Sequence, residues 1–258
     1  MVKGNNKEMN KMKHEFFNFN DTTPQTIESE ENSLWKAVLK LSSVGISYSN
    51  NGAEQFANND GTEFEKEFEK CLTSVGIEER DSIELIGYTT TDLKKILKQP
   101  DNDVLWDNME YQFTRVFGDT NVFISQPAGG NHEPDFIVYY EGKIYLFECK
   151  KSNTKTPSYG DNGCHPRVIY LMKGKWKKQL THTYWLGSDL LSIEDYVEGL
   201  KQRELAKIAV RETLTKFPMV DGTARLGTNK KPDYVTNIIG HSDRYTYESN
   251  VMNYILGE

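Results

Sequence analysis

The chain is expected to fold as an α/β (α+β) domain in which helices flank a mixed central β-sheet. Two observations carry this expectation. Apolar residues recur at helical spacing up to Phe117 and again after Ser192, while short β-branched and aromatic runs crowd the interval between. Two of those runs, Asp135–Tyr140 and Ile144–Phe147, flank a Glu141-Gly142-Lys143 break in the manner of a β-hairpin. At 258 residues, one domain with an accessory segment accommodates all of it. The division expected is a flexible arm over residues 1–33 and a single domain over 34–258. Within that domain a helical part (34–118) leads into a sheet core (119–217).

In chain order, the first 33 residues are polar, rich in Asn, Lys and Glu, and lack periodicity. Leu34, Ala37, Val38 and Leu41 mark a helix over 33–41, and SNNG and NND place a loop over 42–61. Asp60 or Thr62 caps a second helix to about Ser74, with Phe64, Phe68, Cys71, Leu72 and Val75 as its apolar stripe. Two more helices are expected over 81–97, with a TTTD cap in its middle that splits it, and over 103–117, stopping at Gly118. NVFISQ (121–126) reads as a strand. After the hairpin, RVIYLM (167–172) and HTYWL (182–186) read as strands separated by a basic turn, KGKWKKQ. A long amphipathic helix over 192–216 follows, its stripe including Tyr196, Leu200, Leu205 and Ile208, and an aromatic stretch closes the chain.

Composition excludes several classes. Three widely spaced cysteines give neither a disulfide framework nor a zinc spacing. The N-terminus lacks the apolar run of a signal peptide and no stretch approaches ~20 apolar residues, so the protein is expected to be cytoplasmic, with no membrane partner. Net charge is −7, yet nine Lys or Arg against two acids lie between Lys143 and Lys178. That stretch is +7 and the remainder of the chain −14. A polyanionic partner is expected to meet the basic stretch, with modest non-specific affinity and steep salt dependence.

The hairpin carries the chemistry. A two-residue Glu141-Gly142 turn pairs Tyr140 with Lys143 and sets Asp135 opposite Glu148, on one face of the sheet. Lys150 returns to that face two residues on. A three-residue turn or a bulge at Gly142 slips the register by one and separates them. A surface hairpin with a cross-strand ion pair is the plain alternative, but acid opposite acid is an unusual surface choice. Two opposed carboxylates repel unless a cation joins them, and an oxygen-rich site of this kind suits Mg²⁺. The backbone carbonyl of Cys149 is a further oxygen ligand candidate. Of the histidines, His132 stands three residues before Asp135, where a general base could sit, but it, His165 and His182 have no ligand spacing and read as ordinary polar loop residues.

Pro134-Asp135, twelve residues, then Glu148-Cys149-Lys150 resembles the PD-(D/E)xK nuclease superfamily, over about residues 133–170. The resemblance implies a restriction-endonuclease-like core and a Mg²⁺-dependent phosphodiesterase. Asp135 and Glu148 become metal ligands and Lys150 the water-positioning residue. Members often carry a further Glu on an upstream helix; Glu65 is the first candidate and Glu69 the second. The chain looks most like a type II restriction endonuclease, which implies double-stranded DNA as substrate and a homodimer, since cutting both strands of a symmetric site needs two active sites. Lys151, Asn153, Lys155, Arg167 and Lys173 are candidate phosphate or base-edge contacts by chemistry and location. A structure-selective repair or recombination nuclease and a non-catalytic DNA-binding module are the competing expectations.

Overall fold

Among the described residues, six strands lie side by side in chain order in one mixed sheet, and helices cover both faces. The computed structural model describes residues 32–48, 61–130, 132–152, 157, 159, 164–176, 179–215 and 239–257. Residues 1–31 of the expected arm, Asn153 and Lys155 therefore lie outside the described residues.

Helix α1 (Ser33–Tyr48) begins where Asn32 Oδ1 accepts the Trp35 N–H at 2.9 Å, an N-cap. It runs seven residues beyond the expected end at Leu41, into the segment expected as a loop. Helix α2 (Gly61–Ser74) is followed by β1 (Glu78–Arg80), a short polar strand that the sequence reading missed and that brings the helical part into the sheet. The expected helix over 81–97 is split: a 3₁₀ turn (Ile83–Ile86) precedes α3 (Thr90–Leu97), whose start Thr89 and Asp92 close as a reciprocal capping box. Helix α4 (Asp103–Phe117) has the expected bounds.

Strands β2 (Val122–Ser125), β3 (Phe136–Tyr140) and β4 (Lys143–Lys151) form an antiparallel meander. Strand β5 (Val168–Trp176) then lies parallel to β4, and β6 (Gln179–Leu186) turns back against β5. The expected basic turn is mostly strand, because Lys173 and Gly174 already pair with His182 and Thr181. Helix α5 (Ile193–Thr215) follows, but its expected stripe packs only in part: Tyr196 is buried while Leu205 and Ile208 are exposed. The closing aromatic stretch is a helix, α6 (Arg244–Leu256).

The register fixes which residues share a face. Ile137, Tyr139, Leu146, Tyr170 and Met172 pack under α3 and α4, with Trp185 stacked on Tyr170. Phe136, Val138, Tyr145, Phe147, Ile169 and Leu171 pack under α1, α2 and α6. Phe68 of α2 sits with its ring 5.3 Å from that of Phe136 and 5.0 Å from that of Phe147. Burying such a ring contributes ~1.5–3 kcal/mol, so α2 is firmly docked on the hairpin. Gly187, after β6, comes so close to the His165 carbonyl that a Cβ would lie 1.8 Å from it, which forbids any side chain there. Among the described residues, no helix is long and apolar enough to cross a membrane.

Candidate active site

The site is built by the hairpin turn at its far end. Glu141 and Gly142 take φ of 48° and 81°, the left-handed pair that a two-residue type I′ turn requires. Tyr140 therefore pairs with Lys143, and Phe136 with Phe147. One step further out, Asp135 and Glu148 meet: the Asp135 N–H donates to Glu148 Oε2 at 3.1 Å, and Asp135 Oδ2 accepts the Cys149 N–H at 2.8 Å. The register that the sequence left open is thus the two-residue one.

Lys150 reaches the same patch. Its ammonium lies 2.7 Å from Glu148 Oε1 and 3.0 Å from Glu133 Oε1. Glu133 is in turn held by the Tyr170 hydroxyl, which donates to Oε2 at 3.2 Å and accepts the His165 N–H at 2.7 Å. From the other side, α2 brings Glu65 to the end of the sheet. Gln126, just past β2, donates from Nε2 to Glu65 Oε2 at 2.8 Å and to Asp135 Oδ1 at 3.1 Å. Glu65, the first upstream candidate, is thus joined to the hairpin set; among the described residues Glu69, one turn on, makes no hydrogen bond to Gln126 or Asp135.

Four carboxylates (Glu65, Glu133, Asp135 and Glu148) share one ammonium. Burial raises the Asp135 carboxyl to about 6, with Glu65 adding to the rise and the Cys149 N–H opposing it. Burial raises Glu148 to about 8 against the pull of Lys150, and Asp135 and Glu133 push it further. For Lys150, burial would lower the pKa, but Glu133 and Glu148 outweigh it and the pKa ends raised. The ammonium thus stays charged, and the surplus resides on the acids. A proton relieves it in part; a cation relieves it more completely.

Other expected residues lie elsewhere. Lys173 is buried and paired with Glu67 at 3.0 Å, with its ammonium over the Phe64 ring. Arg167 donates to the Pro100 carbonyl, pairs with Asp103 and stacks over Trp106. Both therefore have protein partners that tie helices to the sheet. Lys151 ends β4 half-buried. Cys149 enters the site through its amide N–H, and its thiol is buried and raised well above the ordinary thiol range by that burial. His165 and His182, expected as polar loop residues, are instead largely buried, His182 on β6, and burial lowers them to about 4 and about 3.

Sequence reasoning missed Gln126 and Glu133. Gln126 closes the NVFISQ run and Glu133 immediately precedes the Pro-Asp pair, so each borders a recognised motif, but nothing in their letters shows their direction. Among the described residues, no three His, Cys, Asp or Glu side chains gather closely enough to hold a metal by themselves. The donors that converge are oxygens of two carboxylates on a single point now taken by the Gln126 amide. That set fits a hydrated hard cation, which needs only one or two protein carboxylates, and does not fit an all-protein cage. No family model, curated protein or solved structure matches the chain.

Proposed function

We propose that the protein is a Mg²⁺-dependent, sequence-specific endonuclease of the type II restriction kind, hydrolysing phosphodiester bonds of double-stranded DNA as a cytoplasmic homodimer. The observation that carries this reading is the convergence of Asp135, Glu148 and Lys150 on one sheet end, with Glu65 linked across Gln126. The charge balance supports a cation. A phosphodiester is an anion, and it meets four carboxylates against one ammonium; at ~4 Å each unpaired like charge costs ~4 kcal/mol at an effective dielectric of 20. Asp135 and Glu65, with Glu148 beside them, are the residues to hold Mg²⁺. Bound there, Mg²⁺ supplies Lewis acidity, which lowers the pKa of an attacking water and offsets charge on the phosphoryl oxygens.

The chain's own groups do the rest. Lys150 remains an ammonium between Glu133 and Glu148, so its work is to orient a water and to stabilise negative charge on the phosphoryl group. It is held for that task on two sides, and Tyr170 fixes the carboxylate that holds it. The Cys149 N–H anchors one Asp135 oxygen and leaves Oδ1 directed toward Gln126 and Glu65. Lys151, at the end of β4, borders the site on the strand that leads to Asn153 and Lys155, and these three remain the DNA contacts of the proposal.

Incubating the purified protein with plasmid and Mg²⁺ tests the reading. Discrete fragments are expected. Cutting of branched or nicked DNA alone would transfer the protein to the structure-selective nucleases, and binding without cutting would make it a non-catalytic module.

A further inference from the structure

Gln126 occupies an unusual position for a residue outside any recognised motif. Its backbone is left-handed, with φ of 48°, a region that residues other than glycine rarely adopt and that concentrates at functional sites. Two backbone bonds hold it there: its N–H donates to the Asp135 carbonyl at 2.6 Å, and its carbonyl accepts the Gly129 N–H at 2.9 Å. The turn aims the side chain between Glu65 and Asp135. There Nε2 donates to both carboxylates, while Oε1 is buried with no hydrogen-bond partner among the described residues. Buried amide oxygens in folded proteins are nearly always paired, and an orphan next to a charged cluster points to an absent ion or water. On its other side Oε1 faces Gly130, which offers it no side chain.

We infer that Gln126 belongs to the metal site: its amide bridges Glu65 and Asp135 when no cation is present, and its carbonyl oxygen joins their oxygens in holding the cation when one binds. The inference rests on the metal-dependent reading proposed above. Turning the amide by half a revolution about its last side-chain bond exchanges nitrogen for oxygen without moving the backbone. The two carboxylates then face a cation in place of the amide hydrogens, and Oε1 gains a partner. A third ligand that is an amide also accounts for the lack of a group of three acidic, His or Cys ligands among the described residues. Three oxygens, two of them charged, suit Mg²⁺ with water completing its shell.

The test is calorimetric titration of the full chain with MgCl₂, with thermal shift in EDTA and in Mg²⁺ as a second readout; neither needs DNA cleavage. Gln126→Met keeps the length and removes both the donor and the oxygen; Gln126→Glu supplies oxygen and charge. Gln126→Met is expected to bind Mg²⁺ about tenfold more weakly than the wild type, and Gln126→Glu at least as tightly. Equal or tighter binding by Gln126→Met would show that the amide only competes with the cation, and would overturn the inference. Weaker binding by a folded Gln126→Glu would do the same. A wild-type protein that binds no Mg²⁺ would instead remove the metal reading itself, and the role of Gln126 with it.

Discussion

Replacing Asp135 with asparagine should make the metal-free protein more stable, although it removes a residue at the centre of the site. Burial raises the Asp135 carboxyl from 3.8 to about 6, with Glu65 adding to the rise. A folded-state pKa above the unfolded one means that the ionised side chain opposes folding. At 1.36 kcal/mol per pKa unit, the penalty is on the order of 3 kcal/mol above pH 6. Asparagine abolishes it and relieves Glu148 as well. Against this, the Cys149 N–H then donates to a neutral oxygen instead of a carboxylate and the Gln126 Nε2 bond is lost against the asparagine NH₂, together ~2 kcal/mol. The net gain is ~1 kcal/mol, or roughly 2–4 °C in Tm for a chain of this size. Differential scanning fluorimetry in EDTA at pH 7.5 measures it. The gain should shrink as pH falls through about 6 toward 3.8, because the wild-type carboxyl then takes up its own proton. Addition of Mg²⁺ should raise the Tm of the wild type and leave that of Asp135→Asn unchanged. If Asp135→Asn lowers Tm in EDTA by more than a few degrees, Asp135 is an anchor of the hairpin and the argument from electrostatic tension fails.

Lys150→Met should cost about 3–5 kcal/mol, because it leaves Glu133 and Glu148 buried without their cation; a loss below ~1 kcal/mol in urea unfolding would place the ammonium in solvent-like surroundings. His165 should make the fold acid-sensitive. It bridges the Leu97 carbonyl and the Arg167 N–H as a neutral ring, and its pKa is lowered to about 4. Its contribution is complete above the unfolded pKa of ~6.5 and is lost as pH falls from there toward 4, by ~2 kcal/mol at pH 5. The stability difference between wild type and His165→Gln should narrow by that amount between pH 7 and pH 5, and a difference independent of pH would contradict the burial argument.

The core of the site was legible because strand pairing has a period of two. Once Glu141-Gly142 is a two-residue turn, counting outward puts Asp135 beside Glu148 and Lys150 on their face, and the structure follows that count. Glu65 could be approached through its place next to the Phe64/Phe68 stripe, which docks α2 on the hairpin. Gln126 was not legible, since its direction comes from a left-handed backbone that no letter of NVFISQ requires. Lys173 and Arg167 show a different limit. Side-chain chemistry says what a lysine or arginine can bind, and only the tertiary fold says what already binds it: Glu67 for one, Asp103 and Trp106 for the other. β1 escaped notice because three polar residues, Glu-Glu-Arg, carry no strand pattern and enter the sheet by pairing with the buried β2.

The most direct test of the proposed activity is cleavage of plasmid DNA by the wild type and by Glu148→Gln, each with Mg²⁺ and with EDTA. Glutamine keeps the shape of a side chain that bonds the Asp135 N–H and Lys150, and removes the charge. The expected result is cutting by the wild type in Mg²⁺ alone, and a loss of at least 100-fold in the variant, about 2.7 kcal/mol of transition-state stabilisation, with DNA binding retained. Undiminished cutting by Glu148→Gln, or equal cutting in EDTA, would contradict it.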